Sequence, residues 1–161
     1  MDAYLAELDR SGMCLMVWRG GEVVFSSPSK GIRPHLEAIE ALGRDALRGS
    51  VMADKIVGRA AALLMLYSVP AEVHAGVITT KARGLLEARG VVVYPGGEVP
   101  AIKERDGRIY CPFEAMVQGV SDPEEAYPAI VAKLGGSTKP LVDRFKTSSY
   151  PIFTIHRWLP L

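Results

Sequence analysis

The segment from Val73 to Tyr94 places the tightest constraint on how this chain can fold. Val73 to Thr79 has the composition of a buried strand, Thr80 to Arg89 has a helical pattern, and Val91 to Tyr94 is a second short strand. Gly90 follows the helical stretch, at a position where glycine often ends a helix. A strand, a helix and a strand in close succession predict two parallel strands joined by a right-handed crossover, which is typical of the α/β class.

Three more elements are predicted ahead of this unit. Met1 to Ser11 has one apolar face and predicts a short helix. Met13 to Trp18 and Glu22 to Phe25 flank a pair of glycines, and this pattern predicts a β-hairpin because glycine supplies the positive φ that tight turns need. Gly31-Ile-Arg-Pro34 leads into a further helix. These elements predict a mixed sheet of about four to five strands that begins with a β-hairpin.

Ser50 to Tyr67 is the most apolar stretch of the chain, and its pattern favours one helix buried on most sides. Asp54 would then lie in the first turn, where a carboxylate complements the helix dipole. Gly58 would lie inside the helix at a cost of about 1 kcal/mol relative to alanine. We expect close packing of another backbone, or a ligand, to offset that cost.

Composition excludes several classes of protein. The chain has 161 residues and a net charge of +1, so it forms one ordinary domain without the basic excess of nucleic-acid or membrane-surface proteins. It has two cysteines and no apolar run long enough to span a bilayer. We expect a cytoplasmic protein with no cofactor and no nucleic-acid or membrane partner. Residues 1–136 form the predicted α/β domain, and residues 137–161 form an extension that packs on the domain or on a partner subunit.

Asp54 and Lys55 are the most suggestive residues for chemistry. At a helix start they could form an acid/base pair, or the helix N-terminus together with Lys55 could hold an anion such as phosphate. Arg59 follows Lys55 by four residues, so the two cations could share one face around that anion. The plainer interpretation is an acid in the first turn beside solvated cations.

Further candidates lie on either side of this pair. Cys111 and Glu114 have the i, i+3 spacing of one helical face, whereas Thr79 and Thr80 follow a strand, where ligands gather in open α/β sheets. The polar loop from Ser26 to Gly31 could touch a phosphate, although it lacks the Walker pattern and is interpreted as a plain connection.

A zinc site is not predicted. Zinc needs three or four ligands, and the three histidines lie far apart in the sequence. His35-Leu36-Glu37 matches half of a zinc-deaminase signature, but the Pro-Cys-x-x-Cys half is missing. We therefore interpret the histidines as structural.

Three segments together resemble the prokaryotic family called domain of unknown function 1893. They are Gly31-Ile-Arg-Pro34, the stretch from Ala53 to Ala62, and Cys111-Pro-Phe-Glu114 with the preceding turn at residues 105–107. The resemblance runs from about Leu5 to about Ala126. It implies a three-layer α/β/α sandwich similar to cytidine deaminase.

The resemblance also implies where the catalytic motifs of deaminases would fall. Asp54-Lys55 stands at the first of those places and Thr79-Thr80-Lys81 at the second, so the zinc ligands are missing from both. The leading hypothesis is a deaminase-like domain without zinc that binds a small anionic or nucleotide-like ligand. Its pocket residues are Asp54, Lys55 and Cys111, as candidate catalytic groups, with Gly58, Arg59, Thr79, Thr80 and Glu114 as ligand-binding groups.

Two alternatives stay open. The domain could be a catalytically silent interaction module that forms a homodimer through its sheet edge or through the aromatic residues of the extension, Tyr150, Phe153 and Trp158. A divergent metal-dependent hydrolase or deaminase using Asp54, Cys111 and Glu114 is the third hypothesis.

Overall fold

The structure is a computed structural model, and it describes residues 2–102 and 112–134. The helices are α1 (Ala3–Ser11), α2 (Arg33–Leu42), α3 (Arg44–Leu47), α4 (Arg59–Ser68), α5 (Thr80–Ala88), α6 (Pro112–Met116) and α7 (Pro123–Lys133). The strands are β1 (Leu15–Arg19), β2 (Glu22–Ser27), β3 (Val51–Val57), β4 (Glu72–Thr79), β5 (Val92–Pro95) and β6 (Glu98–Val99). The predicted extension, 137–161, and Cys111 lie outside the described residues.

The described strands form one open mixed sheet in the order β2-β1-β3-β4-β5, with β6 pairing β4 beyond the end of β5. β1 runs antiparallel to β2 and to β3, and the predicted hairpin is confirmed. Gly20 and Gly21 both have positive φ in its turn, as a two-residue type I′ turn requires. β3, β4 and β5 are parallel, so the predicted β4-α5-β5 unit is confirmed. Among the described residues the sheet has five strands in this order and the two-residue β6, where four to five were predicted.

The predicted helix over residues 50–67 is wrong in its first half. Residues 51–57 form β3, the central strand of the sheet, and the helix begins only at Arg59. Gly58 is the N-cap of α4 and is not a glycine inside a helix. A continuous apolar run is compatible with a buried strand or a buried helix, because burial on both sides removes the periodicity that separates them. Asp54 therefore lies in a strand and not in the first turn of α4.

The sheet separates two apolar clusters. Met16 and Trp18 of β1 pack with Leu8 of α1 on one face. Leu15 and Val17 alternate with them and point into the larger core, which contains α4 and residues of α2, α5 and α7. α4 is buried from Ala60 to Leu66, as its apolar composition predicts. No helix in the described parts of the chain is long and apolar enough to cross a membrane.

Candidate functional site

A cavity of about 280 Å³ lies beside β3, between the residues that precede α2 and the first turn of α4. Its polar lining consists of Cys14, Lys30, Asp54, Lys55 and Glu114. Its apolar lining consists of Ile32, Ile56, Ala61 and Ile102. The cavity thus combines an apolar wall with a few charged groups, which is the usual composition of a small-molecule site.

Asp54 is a buried carboxylate held at both oxygens. Its Oδ2 lies 2.6 Å from Nε2 of His35, and its Oδ1 accepts a hydrogen bond from the backbone N–H of Ile56 at 3.1 Å. The side chains of His35 and Asp54 are 2% and 6% exposed. An ionised carboxylate can only accept, so His35 donates from Nε2 in the ionised pair. Buried charges persist where they are paired and hydrogen-bonded, as here.

Glu37 holds the loop that forms one wall of the cavity. Its carboxylate accepts hydrogen bonds from Ser27 Oγ at 2.6 Å and from Ser29 Oγ at 2.9 Å. Burial raises the pKa of Glu37 above its ordinary value, and the two serine hydrogen bonds offset part of that rise. Lys30 directly follows Ser29 and lines the cavity, so these bonds fix the chain from which Lys30 projects.

Lys30 and Lys55 are the cationic residues among those that line the cavity. Neither ammonium group has an ion-pair or hydrogen-bond partner among the residues that the structure describes. Lys30 is exposed and Lys55 is half-buried. The carboxylates of Asp54 and Glu114 line the same cavity, but each already has two hydrogen-bond partners in the protein. An anionic occupant would therefore pair with the lysines.

The N-terminus of α4 is filled by a side chain of the protein itself. Glu114 of α6 accepts hydrogen bonds from the backbone N–H groups of Arg59 at 3.0 Å and Ala60 at 2.6 Å. A Cβ on Gly58 would lie 2.6 Å from Glu114 Oε1, so the glycine leaves room for this carboxylate. The expectation that a helix N-terminus holds a ligand anion beside Asp54 is therefore wrong for α4, because Glu114 occupies that place.

Arg59 does not share an anion with Lys55, contrary to the expectation from their spacing. Its guanidinium donates to the carbonyl oxygens of Val117 at 2.9 Å and of Val120 at 2.5 Å. The i, i+4 argument fails because Lys55 is in β3 and Arg59 begins α4. Arg59 thereby ties the segment after α6 to the start of α4.

The two threonines lie apart from the larger cavity. Thr79 is the N-cap of α5, and its side chain accepts a hydrogen bond from the N–H of Ala82. Thr79 lines a second cavity of about 110 Å³ together with Arg59 and Glu114. Thr80 is exposed and lines neither cavity. Of the predicted site residues, Asp54, Lys55, Gly58 and Glu114 meet at the larger cavity.

Metal-binding geometry is not present in the described ranges, where no group of three or more His, Cys, Asp or Glu side chains is placed to hold an ion. Cys111, which the metal hypothesis needs, lies outside those ranges. The carboxylate of Glu114 already accepts two backbone hydrogen bonds.

Sequence reasoning missed His35 and Cys14 as site residues. His35 is 19 positions from Asp54 in the chain, and no local pattern links them. Cys14 precedes β1 and lines the cavity because β1 pairs with β3 in the sheet. Lys30 and Gly31, which also line the cavity, belong to the polar loop that could touch a phosphate, although its sequence favours a plain connection.

Comparison with known proteins identifies a family and a related crystal structure. Residues 4–134 match the model of the family described as Domain of unknown function (DUF1893). The chain is similar to the crystal structure of a DUF1893 family protein from Thermotoga maritima, with a TM-score of 0.71 and 32% identity. That similarity covers 80% of this chain and 86% of the Thermotoga maritima chain. No curated protein matches the chain.

Proposed function

Because the chain belongs to the DUF1893 family, we propose that it is a deaminase-like domain without zinc ligands, which binds a small anionic or nucleotide-like ligand in the larger cavity. The observation that supports this most directly is Asp54, a buried carboxylate that lines the same cavity as Lys30 and Lys55. Burying a charged group is costly, and such groups in clefts are enriched at functional sites.

The chemistry of the lining indicates the kind of ligand. Lys30 and Lys55 supply the two cations that an anionic group would pair with. Ile32, Ile56 and Ile102 supply apolar surface for a flat or ring-shaped body. An organic anion with an apolar body fits both features, whereas a bare inorganic ion uses only the lysines. If the domain is an enzyme, Asp54 or Lys55 is the proton carrier.

A titration of nucleoside monophosphates, with inorganic phosphate alongside, tests the proposal by thermal shift and calorimetry. We expect at least one nucleotide to bind more tightly than phosphate, and Lys30→Ala/Lys55→Ala to weaken it about tenfold or more through loss of two charge-assisted contacts. Lys133→Ala removes one exposed cation on α7 and is the control. Equal binding by the double variant and the control, or no binding by wild type, would contradict the proposal.

The alternative, a silent module that forms a homodimer, is favoured by a different observation. β5 pairs only with β4 in the described sheet, and its Val92 and Tyr94 are 48% and 44% exposed. Exposed apolar side chains on an edge strand favour pairing with another chain. Light scattering of wild type and of Val92→Lys tests this, because the substitution should dissociate a dimer built on β5. A monomeric wild type would remove the alternative.

A further inference from the structure

We propose that the Asp54 end of the larger cavity recognises an N–H donor group of the ligand. The substrate class is then organic anions that also have an amide, an amidine or an amino-heterocycle N–H group. This inference rests on the proposed function and adds to it the polar group that selects the ligand. It also makes His35 a positioning residue, which acts on the ligand only through Asp54.

The hydrogen-bond capacity of Asp54 is only half used by the protein. An ionised carboxylate has about four acceptor positions on its two oxygens. His35 Nε2 and the Ile56 N–H take one position at each oxygen, and the described residues provide no other donor. Asp54 lines the cavity, so the remaining positions are left for donors that occupy it. A buried acceptor that has lost its water is costly to leave without a donor, so a ligand N–H group at this position contributes strongly to binding.

His35 and Ile56 also fix the direction of this carboxylate. Each contacts a different oxygen, and β3 holds the backbone of Asp54 between β1 and β4. His35 itself is 2% exposed in α2, so its ring is held by packing. Because both oxygens are held, the free acceptor positions of the Asp54 carboxylate point in fixed directions. A ligand that binds a carboxylate already fixed in this way pays a smaller entropy cost.

The lysines and Asp54 would recognise two different groups of the ligand. Lys30 and Lys55 favour the anionic group of the ligand, and Asp54 repels an anion or a carbonyl while it attracts an N–H group. A ligand that has an acceptor in place of the N–H group would leave the free acceptor positions of Asp54 without a donor. Sites built to hydrogen-bond a polar group reject the analogue that lacks it far more strongly than apolar pockets reject a missing methyl group.

The test uses three substituted benzoates that share one anionic group and nearly one shape. They are 4-carbamoylbenzoate, 4-amidinobenzoate and 4-acetylbenzoate, which differ in whether an amide, an amidine or a methyl ketone faces Asp54. We expect the carbamoyl compound to bind wild-type protein about tenfold more tightly than the acetyl compound, by calorimetry or NMR titration of the full chain. The amidine should bind more tightly than either, because its two N–H groups match a carboxylate.

Variants then assign the preference to the two residues. Asp54→Asn should reduce the ratio of carbamoyl to acetyl affinity to about one, because an amide offers a donor as well as an acceptor. His35→Gln keeps an N–H group for Oδ2 and should keep the ratio, whereas His35→Leu removes it and should lower the ratio. The ratio between matched ligands reports on recognition, since a general loss of structure would weaken both ligands together.

The outcomes separate this inference from the proposed function. Equal binding of the carbamoyl and acetyl compounds to wild type, still weakened by Lys30→Ala/Lys55→Ala, would overturn the inference and keep the proposed function. A wild type that binds neither the benzoates nor the nucleotides overturns both. The wild-type comparison needs no variant, so the inference stays testable if Asp54→Asn does not fold.

Discussion

His35 and Asp54 lie 19 positions apart in the chain, yet Nε2 of the histidine is 2.6 Å from Oδ2 of the aspartate. The histidine comes from the first half of α2 and the aspartate from the middle of β3. Both side chains are almost fully buried, and Asp54 lines the larger cavity. The pair therefore connects the core of the fold to the candidate site.

Removing His35 should destabilise the fold strongly. His35→Leu leaves Asp54 buried without its partner, and breaking a buried pair in this way costs about 3 to 5 kcal/mol. Urea denaturation of the variant measures the loss. His35→Leu/Asp54→Asn is the control, because the neutral amide has no charge to strand and should regain part of the stability. If the single variant loses less than about 1 kcal/mol, the pair is not the buried contact described here.

Two glycine substitutions should change stability in opposite directions. Gly58→Ala places a Cβ 2.6 Å from Glu114 Oε1 and should push this carboxylate off the α4 N-terminus, at a cost of about 1 to 2 kcal/mol. Gly84→Ala in α5 meets no atom within 4 Å and should stabilise the protein by about 0.4 to 1 kcal/mol. Thermal unfolding of both variants checks the pair. A neutral Gly58→Ala would show that Glu114 is not a cap.

Glu37 should make stability depend on pH in a definite direction. Burial raises the pKa of Glu37 above its ordinary value of 4.5, so the folded protein holds this proton more tightly than the unfolded chain does. The resulting stability is fully present below pH 4.5 and is lost as pH rises through the folded pKa. Wild type should therefore lose stability relative to Glu37→Gln across this window, measured by urea denaturation at several pH values.

The control for Glu37 is Glu40→Gln, which removes an exposed carboxylate from the same helix. Glu37→Ala is informative in a second way, because it leaves the buried hydroxyl of Ser27 without its acceptor and should cost about 1 to 3 kcal/mol. If wild type becomes more stable than Glu37→Gln as the pH rises, the pKa of Glu37 is not raised in the folded protein.

Asp2 should anchor α1 to the sheet. Its Oδ1 accepts from the N–H groups of Tyr4 and Leu5, and its Oδ2 lies 2.5 Å from Nδ1 of His74 in β4. Asp2→Ala removes an N-cap and should cost about 1 to 2 kcal/mol in chemical denaturation. Asp9→Ala, an exposed acid later in α1, is the control and should change stability by about 0.5 kcal/mol or less.

The same contacts set the pH behaviour of Asp2. Burial alone would raise the pKa of Asp2, but the hydrogen bonds with His74, Leu5 and Tyr4 lower it below 3.8 overall. The stabilisation is therefore present above pH 3.8 and is lost as pH falls through the lower folded pKa. The difference in unfolding free energy between wild type and Asp2→Ala should therefore shrink in that acidic range. A difference that stays the same there would contradict this assignment.

Some parts of the fold were accessible from sequence because their signals are local. Gly90 has a φ of 82° and follows α5 and Arg89, as expected for a glycine that ends a helix, and the turn of the hairpin uses Gly20 and Gly21. Asp122, directly before Pro123, caps α7 by accepting a hydrogen bond from the N–H of Glu124. Each of these signals depends only on the φ angle or the hydrogen bonds of a few neighbouring residues.

Only part of the candidate site could be predicted from the sequence, because its contacts join segments that are far apart in the chain. The sequence pattern places Lys55 and Asp54 at the start of a helix, whereas residues 51–57 form β3. The two residues reach the cavity because β3 runs beside it. His35 was assigned a structural role, and its partner could not be found from spacing. Glu114, a candidate ligand-binding residue that lines the cavity, also caps α4 across 54 positions of sequence, a contact that no local pattern predicts.

The sequence by itself determined that this is an α/β domain with an N-terminal helix, a hairpin and a parallel β4-α5-β5 unit, because glycines, caps and short-range periodicity act within a few residues. Only the tertiary structure decided that residues 51–57 form the central strand, since a fully buried run has no face that separates strand from helix. It also decided that Asp54 meets His35, because a contact between distant segments depends on how the sheet and helices pack.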